Sequence, residues 1–148
     1  MKRKNCHVKP VVLIFSVLFF HCVNAQTSIK NISESTFQKA DSLYYAQEWK
    51  AASKMYEQIL GDTSQNSIAW NRLGFSNYNL GNYDKALRCY QNALAFHPIL
   101  PVKAAAYSRM ARVYALQNNK TAAVAAIDSA LNAGYINLSE LDTLKDFS

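Results

Sequence analysis

The stretch Trp70–Pro98, WNRLGFSNYNLGNYDKALRCYQNALAFHP, sets small residues (Gly74, Gly81, Ala86, Ala93) at regular intervals among large ones (Trp70, Leu73, Tyr83, Tyr90) and stops at a proline. Ile68, Leu73, Phe75 and Leu80 fall at helical spacing, and Gly81 can take the left-handed geometry that closes a helix. A second helix is predicted from Tyr83 to Phe96. Pro98 has no amide hydrogen and disfavours helical geometry in the residue before it, so His97 is its natural last residue. Helices pack with axes about 8–10 Å apart, and the lower end of that range needs glycine or alanine at the crossing, flanked by large side chains. Gly74 and Ala86 read as such crossing points, and Ala93 as facing the next helix pair.

The pattern recurs on both sides. Trp49, Ala52, Tyr56 and Leu60 return 34 residues later as Tyr83, Ala86, Tyr90 and Leu94, and Ala40 and Tyr44 as Gly74 and Tyr78. At a spacing of 37, Trp70, Leu73, Gly74, Gly81, Tyr83, Ala86, Tyr90 and Ala93 return as Tyr107, Met110, Ala111, Asn118, Lys120, Ala123, Ile127 and Ala130. The three additional residues, Pro101-Val102-Lys103, are placed at the join. Asn118-Asn119 takes the turn role in the third copy, and Gly61 and Gly134 close the second helices of the first and third.

Trp70-x-x-Leu73-Gly74, Gly81-x-Tyr83, Ala86-x-x-x-Tyr90, Ala93 and Pro98 resemble the 34-residue tetratricopeptide repeat. The middle copy departs where the expected tyrosine is Asn77, with Tyr78 beside it; the first has Thr36, Lys39, Gln47 and Ile59 at positions usually held by Trp, Leu, Gly and Ala. The resemblance implies an all-α solenoid of about three helix-turn-helix hairpins, at about 33–66, 67–100 and 104–137. Leu138, Leu141, Leu144 and Phe147 are spaced by three, so 138–148 is expected to form a short capping helix over the last repeat.

Ahead of the repeats, Lys2, Arg3, Lys4 and Lys9 precede the apolar run VVLIFSVLFFHCV and the step Val23-Asn24-Ala25. This is the pattern of a secretory signal at 1–25, followed by a linker at 26–32. Thirteen residues rise only about 20 Å as a helix, too short to span a bilayer, and the bulky residues before Cys22 do not fit a lipoprotein cleavage box. Four of the sixteen basic residues leave with the signal, so the mature chain carries twelve against ten acidic and gives no support to a nucleic-acid or membrane partner. Cys6 and Cys22 leave as well, and Cys89 alone cannot form an intrachain disulfide. The expected location is the periplasm or cell envelope, with secretion beyond it as the alternative.

Catalytic chemistry finds no footing. The chain has no Gly-rich phosphate loop, no paired-His or Cys-x-x-Cys metal spacing and no serine with an activating His and acid, so no enzyme activity, metal or cofactor is expected. His97, the mature chain's one histidine, suits helix-terminal carbonyls. Asp41, Glu48, Glu57 and Asp84 read as solvated helix faces, with Asp84 and Arg88 as an i, i+4 pair.

What remains is a surface. In proteins of the resembled family the first helices line a concave groove that holds a peptide. Carried over by position, that implies Phe37, Asp41, Tyr44 and Tyr45; Asn71, Arg72, Phe75, Tyr78 and Asn79; and Ser108, Arg109, Arg112 and Leu116. Tyrosine offers apolar area with a polar tip, asparagine pairs with peptide backbone, and arginine grips carboxylates; the alternative is that Tyr44, Tyr45 and Tyr78 simply pack between helices. Family members that bind chaperone carboxyl termini do so through Lys, Asn and Arg; here only Arg109 matches, while Phe37, Asp41, Arg72 and Ala105 depart. The expected function is a non-enzymatic adaptor for a protein or peptide partner. An oligomerisation block, with self-association, and an accessory subunit of a secreted hydrolase are the alternatives.

Overall fold

Helices form wherever the small-and-large pattern runs, and they stop wherever the backbone turns left-handed. The computed structural model describes residues 34–61 and 65–135. The expected signal and linker, the helix pattern of 138–148 and the end of the third repeat beyond 135 lie outside the described residues. The chain divides into two units, Met1–Ser35 and Thr36–Ser148. The second holds the helices α1 (to residue 45), α2 (Trp49–Leu60), α3 (Ser67–Asn79), α4 (Tyr83–Ala95), α5 (Leu100–Leu116) and α6 (Lys120–Asn132), with no strand among the described residues. α2 packs on α3, α3 on α4, α4 on α5 and α5 on α6, and α3 also reaches α5, which is a stack of antiparallel hairpins.

The three hairpins turn in the same way. Gly81 has φ +77°, and beyond it the amide of Asn82 donates to the Asn77 carbonyl at 2.9 Å. Gln47 and Asn118, both at φ 60°, hold the equivalent position, with Glu48 N–H bonded to Leu43 O (2.9 Å) and Asn119 N–H to Tyr114 O (2.8 Å). The turn therefore tolerates a side chain, at a cost of about 1–2 kcal/mol. Gly61 (φ 49°) and Gly134 (φ 85°) end α2 and α6. Side-chain caps start two helices: Asn66 accepts from Ala69 N–H (3.0 Å) and Asn119 from Ala122 N–H (3.1 Å).

Two boundaries differ from expectation. α4 ends at Ala95, a residue early, because the chain leaves the helix at Phe96 and His97 takes φ 48° ahead of Pro98. Pro101-Val102-Lys103 do not form a loop. α5 starts at Leu100 with the proline in its first turn, where a missing amide hydrogen costs nothing, and so runs 17 residues against 13 for α3.

The small residues sit where a side chain would collide. A Cβ on Gly74 would lie 2.5 Å from Tyr90 Cε1 and 2.7 Å from Cδ1, and the Tyr90 ring is fully buried. Ala40 with Tyr56, and Ala111 with Ile127, hold the equivalent places in the first and third hairpins. Asn77, which replaces the family's tyrosine, is buried but satisfied: its amide donates to Leu73 O (2.9 Å) and Ser53 Oγ (3.4 Å), and its oxygen accepts from Asn82 (3.3 Å).

Tyr56 and Tyr90, one repeat apart and both fully buried, are not equivalent in their hydroxyls. Tyr56 donates to Asp41 Oδ1, whereas the Tyr90 hydroxyl has no hydrogen-bond partner among the described residues. Burial pushes both phenols well above their ordinary pKa, with Asp41 adding to the effect on Tyr56. Tyr56→Phe is expected to cost about 1.5–3 kcal/mol and Tyr90→Phe to be neutral or stabilising, as read by urea unfolding.

Candidate functional site

The first helices of the three hairpins meet in a continuous aromatic and cationic seam. Along it the ring centroids run from Tyr45 to Tyr44 (5.5 Å), Tyr44 to Phe75 (5.8 Å), Phe75 to Tyr78 (6.0 Å, stacked) and Tyr78 to Tyr83 (5.9 Å). Trp49, from the second helix of the first hairpin, wedges edge-on between Tyr44 (5.6 Å) and Phe75 (5.5 Å). Edge-to-face contacts of this kind add about 0.5–1.5 kcal/mol each beyond buried area.

Two arginines cross the seam at equivalent positions, Arg72 on α3 and Arg109 on α5, and each reaches back to the preceding hairpin. Arg72 pairs with Asp41 Oδ1, donates from Nη2 to Tyr45 Oη (3.1 Å), and sits 5.6–5.8 Å from the rings of Phe37, Tyr44 and Tyr45. Burial alone would lower its pKa; the hydrogen bond and charge of Asp41 outweigh that and raise it. Arg109 lies 4.3 Å above the Phe75 ring and donates to Asn71 Oδ1 (3.0 Å) and Tyr44 Oη (3.4 Å). Among the described residues those partners are all neutral. One arginine is thus matched by an internal carboxylate, and the other, among the described residues, is held by rings and dipoles.

Most of the residues expected on this face are brought together by it, though several are turned to internal partners. Asp41 is no solvated acid: it takes both Tyr56 and Arg72. Asn71, expected to offer its amide outward, is only 6% exposed and gives its oxygen to Arg109. Asn79 and Ser108 donate to their own helices, at Phe75 O (2.8 Å) and Ala105 O (3.1 Å). Tyr45 is 69% exposed, Tyr44, Phe75, Tyr78, Arg109 and Arg112 are half-buried, and Leu116 is exposed. The acids elsewhere also differ from expectation. Glu57 pairs with Lys85, and Asp84 accepts from Gln117 Nε2 (3.0 Å) across the hairpins instead of from Arg88.

Sequence reasoning left Trp49 and Tyr83 out of the seam because both lie on second helices. The signal was present nonetheless: Tyr44 and Trp49 recur 34 residues on as Tyr78 and Tyr83, and each pair is in ring contact. Among the described residues no group of three or more His, Cys, Asp or Glu side chains could hold a metal ion, and no helix is long and apolar enough to cross a membrane.

Comparison with known proteins bears on the middle hairpin. Residues 67–98 match the family model of the tetratricopeptide repeat. No curated protein matches the chain at a significant level. Among solved structures, "MamA MSR-1 C2" is similar with a TM-score of 0.62 at 18% identity over 69% of this chain and 57% of that one. "MamA AMB-1 P212121" gives 0.61 at 19% over 74% and 59%. PcrH in complex with the chaperone binding region of PopB gives 0.61 at 16% over 80% and 87%. The chain thus spans less than two thirds of the MamA structures, and at these identities the likeness speaks to the fold. The segment that matches the tetratricopeptide repeat, 67–98, supplies the centre of the seam, with Arg72, Phe75, Tyr78 and Tyr83 all inside it.

The two junctions should respond differently when one side chain of each is truncated. Asp41→Ala strands the Tyr56 hydroxyl and the Arg72 charge together and is expected to cost about 2–4 kcal/mol. Arg109→Ala removes only a cation–π contact and neutral hydrogen bonds, and about 1 kcal/mol is expected by the same urea measurement.

Proposed function

We propose that the protein is a non-enzymatic adaptor of the cell envelope that holds a segment of a partner protein, extended or helical, along the seam of α1, α3 and α5. The observation that carries this reading is the state of Arg109. A half-buried guanidinium fixed over Phe75, with neutral partners among the described residues, is prepared for an acidic group that the described residues do not supply. Tyr44, Tyr45, Phe75 and Tyr78 beside it offer apolar area whose rotamers are already restricted by ring contacts, so little entropy is lost on binding. Arg112, one turn beyond Arg109 on α5, extends the basic end. The similar fold of PcrH, solved with the chaperone binding region of PopB, supports a segment of another protein as the kind of ligand. The envelope location rests on the signal-like pattern of residues 1–25.

The test is affinity capture from an envelope extract with three baits: the protein, a seam variant carrying Tyr78→Ala, Arg109→Glu and Arg112→Glu, and a control carrying Lys54→Glu on exposed α2 surface. The seam variant is expected to lose a partner that the protein and the control both retain. Identical capture by all three baits contradicts the assignment.

A further inference from the structure

A second candidate site lies apart from the seam and shares no residue with it. A cleft of about 400 Å³ opens where the end of α2, the start of α3 and one face of α4 meet. Leu60, Leu73 and Cys89, all at 3% exposure or less, form its floor, and half-buried Trp70 lines it beside them. Lys85, Arg88, Cys89 and Asn92 follow one another at helical spacing, so a single face of α4 supplies the polar rim and the Cys89 sulfur, while Leu60 of α2 and Trp70 and Leu73 of α3 supply the apolar surface.

The two rim cations are in different states. Lys85 is paired with Glu57, which closes one side of the cleft with a neutral ion pair. Arg88 is exposed, and the acid that helical spacing offers it, Asp84, is engaged by Gln117 of the next hairpin. Among the described residues no carboxylate pairs with Arg88. A guanidinium that no carboxylate among the described residues pairs with therefore stands at the rim of an apolar hollow, with the half-buried amide of Asn92 one turn away.

We propose that this cleft binds a small organic acid, an apolar and preferably flat body carrying a single oxyanion. The volume lies within the roughly 300–1,000 Å³ usual for small-molecule sites. The body rests on Leu60, Leu73 and Trp70, and the planar fork of Arg88 takes two oxygens of a carboxylate or sulfonate, aided by Asn92. A second anionic group is disfavoured because Glu57 faces the cleft and already satisfies Lys85. Burial pushes the Cys89 thiol up to about 11, so at neutral pH it is a protonated, soft wall and the binding is non-covalent. The proposal is independent of the role assigned to the seam.

Fluorescence titration of the protein with 1-anilinonaphthalene-8-sulfonate tests it. One saturable site is expected; Arg88→Glu should weaken it by about tenfold or more, whereas Arg109→Glu should leave it unchanged. The uncharged N-phenyl-1-naphthylamine should bind the protein and Arg88→Glu alike, which separates loss of the charge contact from loss of the fold. Indole-3-acetate should displace the probe. The proposal is overturned if no saturable site exists, if Arg88→Glu leaves the affinity unchanged, or if a peptide ending in tryptophan displaces the probe and indole-3-acetate does not.

Discussion

The close approach of α3 and α4 at Gly74 is the constraint on which the rest depends. The Tyr90 ring occupies the space that any side chain at residue 74 would need. With the two backbones held together by that fit, the large side chains of α3 are distributed between two sides. Leu73 and Asn77 go into the core, and Arg72, Phe75 and Tyr78 go to the seam. The first and third hairpins solve the same problem with Ala40 against Tyr56 and Ala111 against Ile127, so one steric rule positions three first helices side by side. In the first hairpin the ring also carries a hydrogen bond to Asp41, and this links the core contact to the charge on the surface.

That link gives the seam its asymmetry. Arg72 and Arg109 are equivalent residues of successive hairpins, yet the carboxylate of Asp41 meets only the first. At the position corresponding to Asp41 the second hairpin has Phe75, so Arg109 finds a ring where Arg72 finds an anion. Phe37, Asp41 and Tyr45 around Arg72 are replaced by Asn71, Phe75 and Asn79 around Arg109, and of these changes the loss of the Asp41 carboxylate is the one that alters the charge balance of the junction. A repeat is an economical way to build this, since the backbone stays the same while single side chains change what each junction can hold.

Much of the fold was legible because small residues at fixed spacing report backbone contact directly. The helix pairs, the left-handed turns at Gly81 and Asn118 and the burial of Ala86 all follow from residue type and period. Less legible were features decided between hairpins. Asp41 and Asp84 looked solvated because their partners, Arg72 and Gln117, lie 31 and 33 residues away, beyond any helical window. Pro101-Val102-Lys103 read as a join because the third copy follows at 37 residues instead of 34, but proline is admitted in a first turn and the three extend α5. The composition of the candidate face could be read from position alone, while the inward commitment of Asn71 and Asp41 required knowing which neighbours they meet.

The most direct measurement is a double-mutant cycle in urea unfolding across the α3–α4 crossing, with Gly74→Ala, Tyr90→Leu and the pair. Overpacking at such a contact costs about 1–3 kcal/mol, and the smaller leucine should relieve it, so the pair is predicted to be more stable than the sum of the single effects by about 1 kcal/mol or more. Simple additivity, or a Gly74→Ala protein as stable as the parent, would contradict the claim that this steric fit organises the stack.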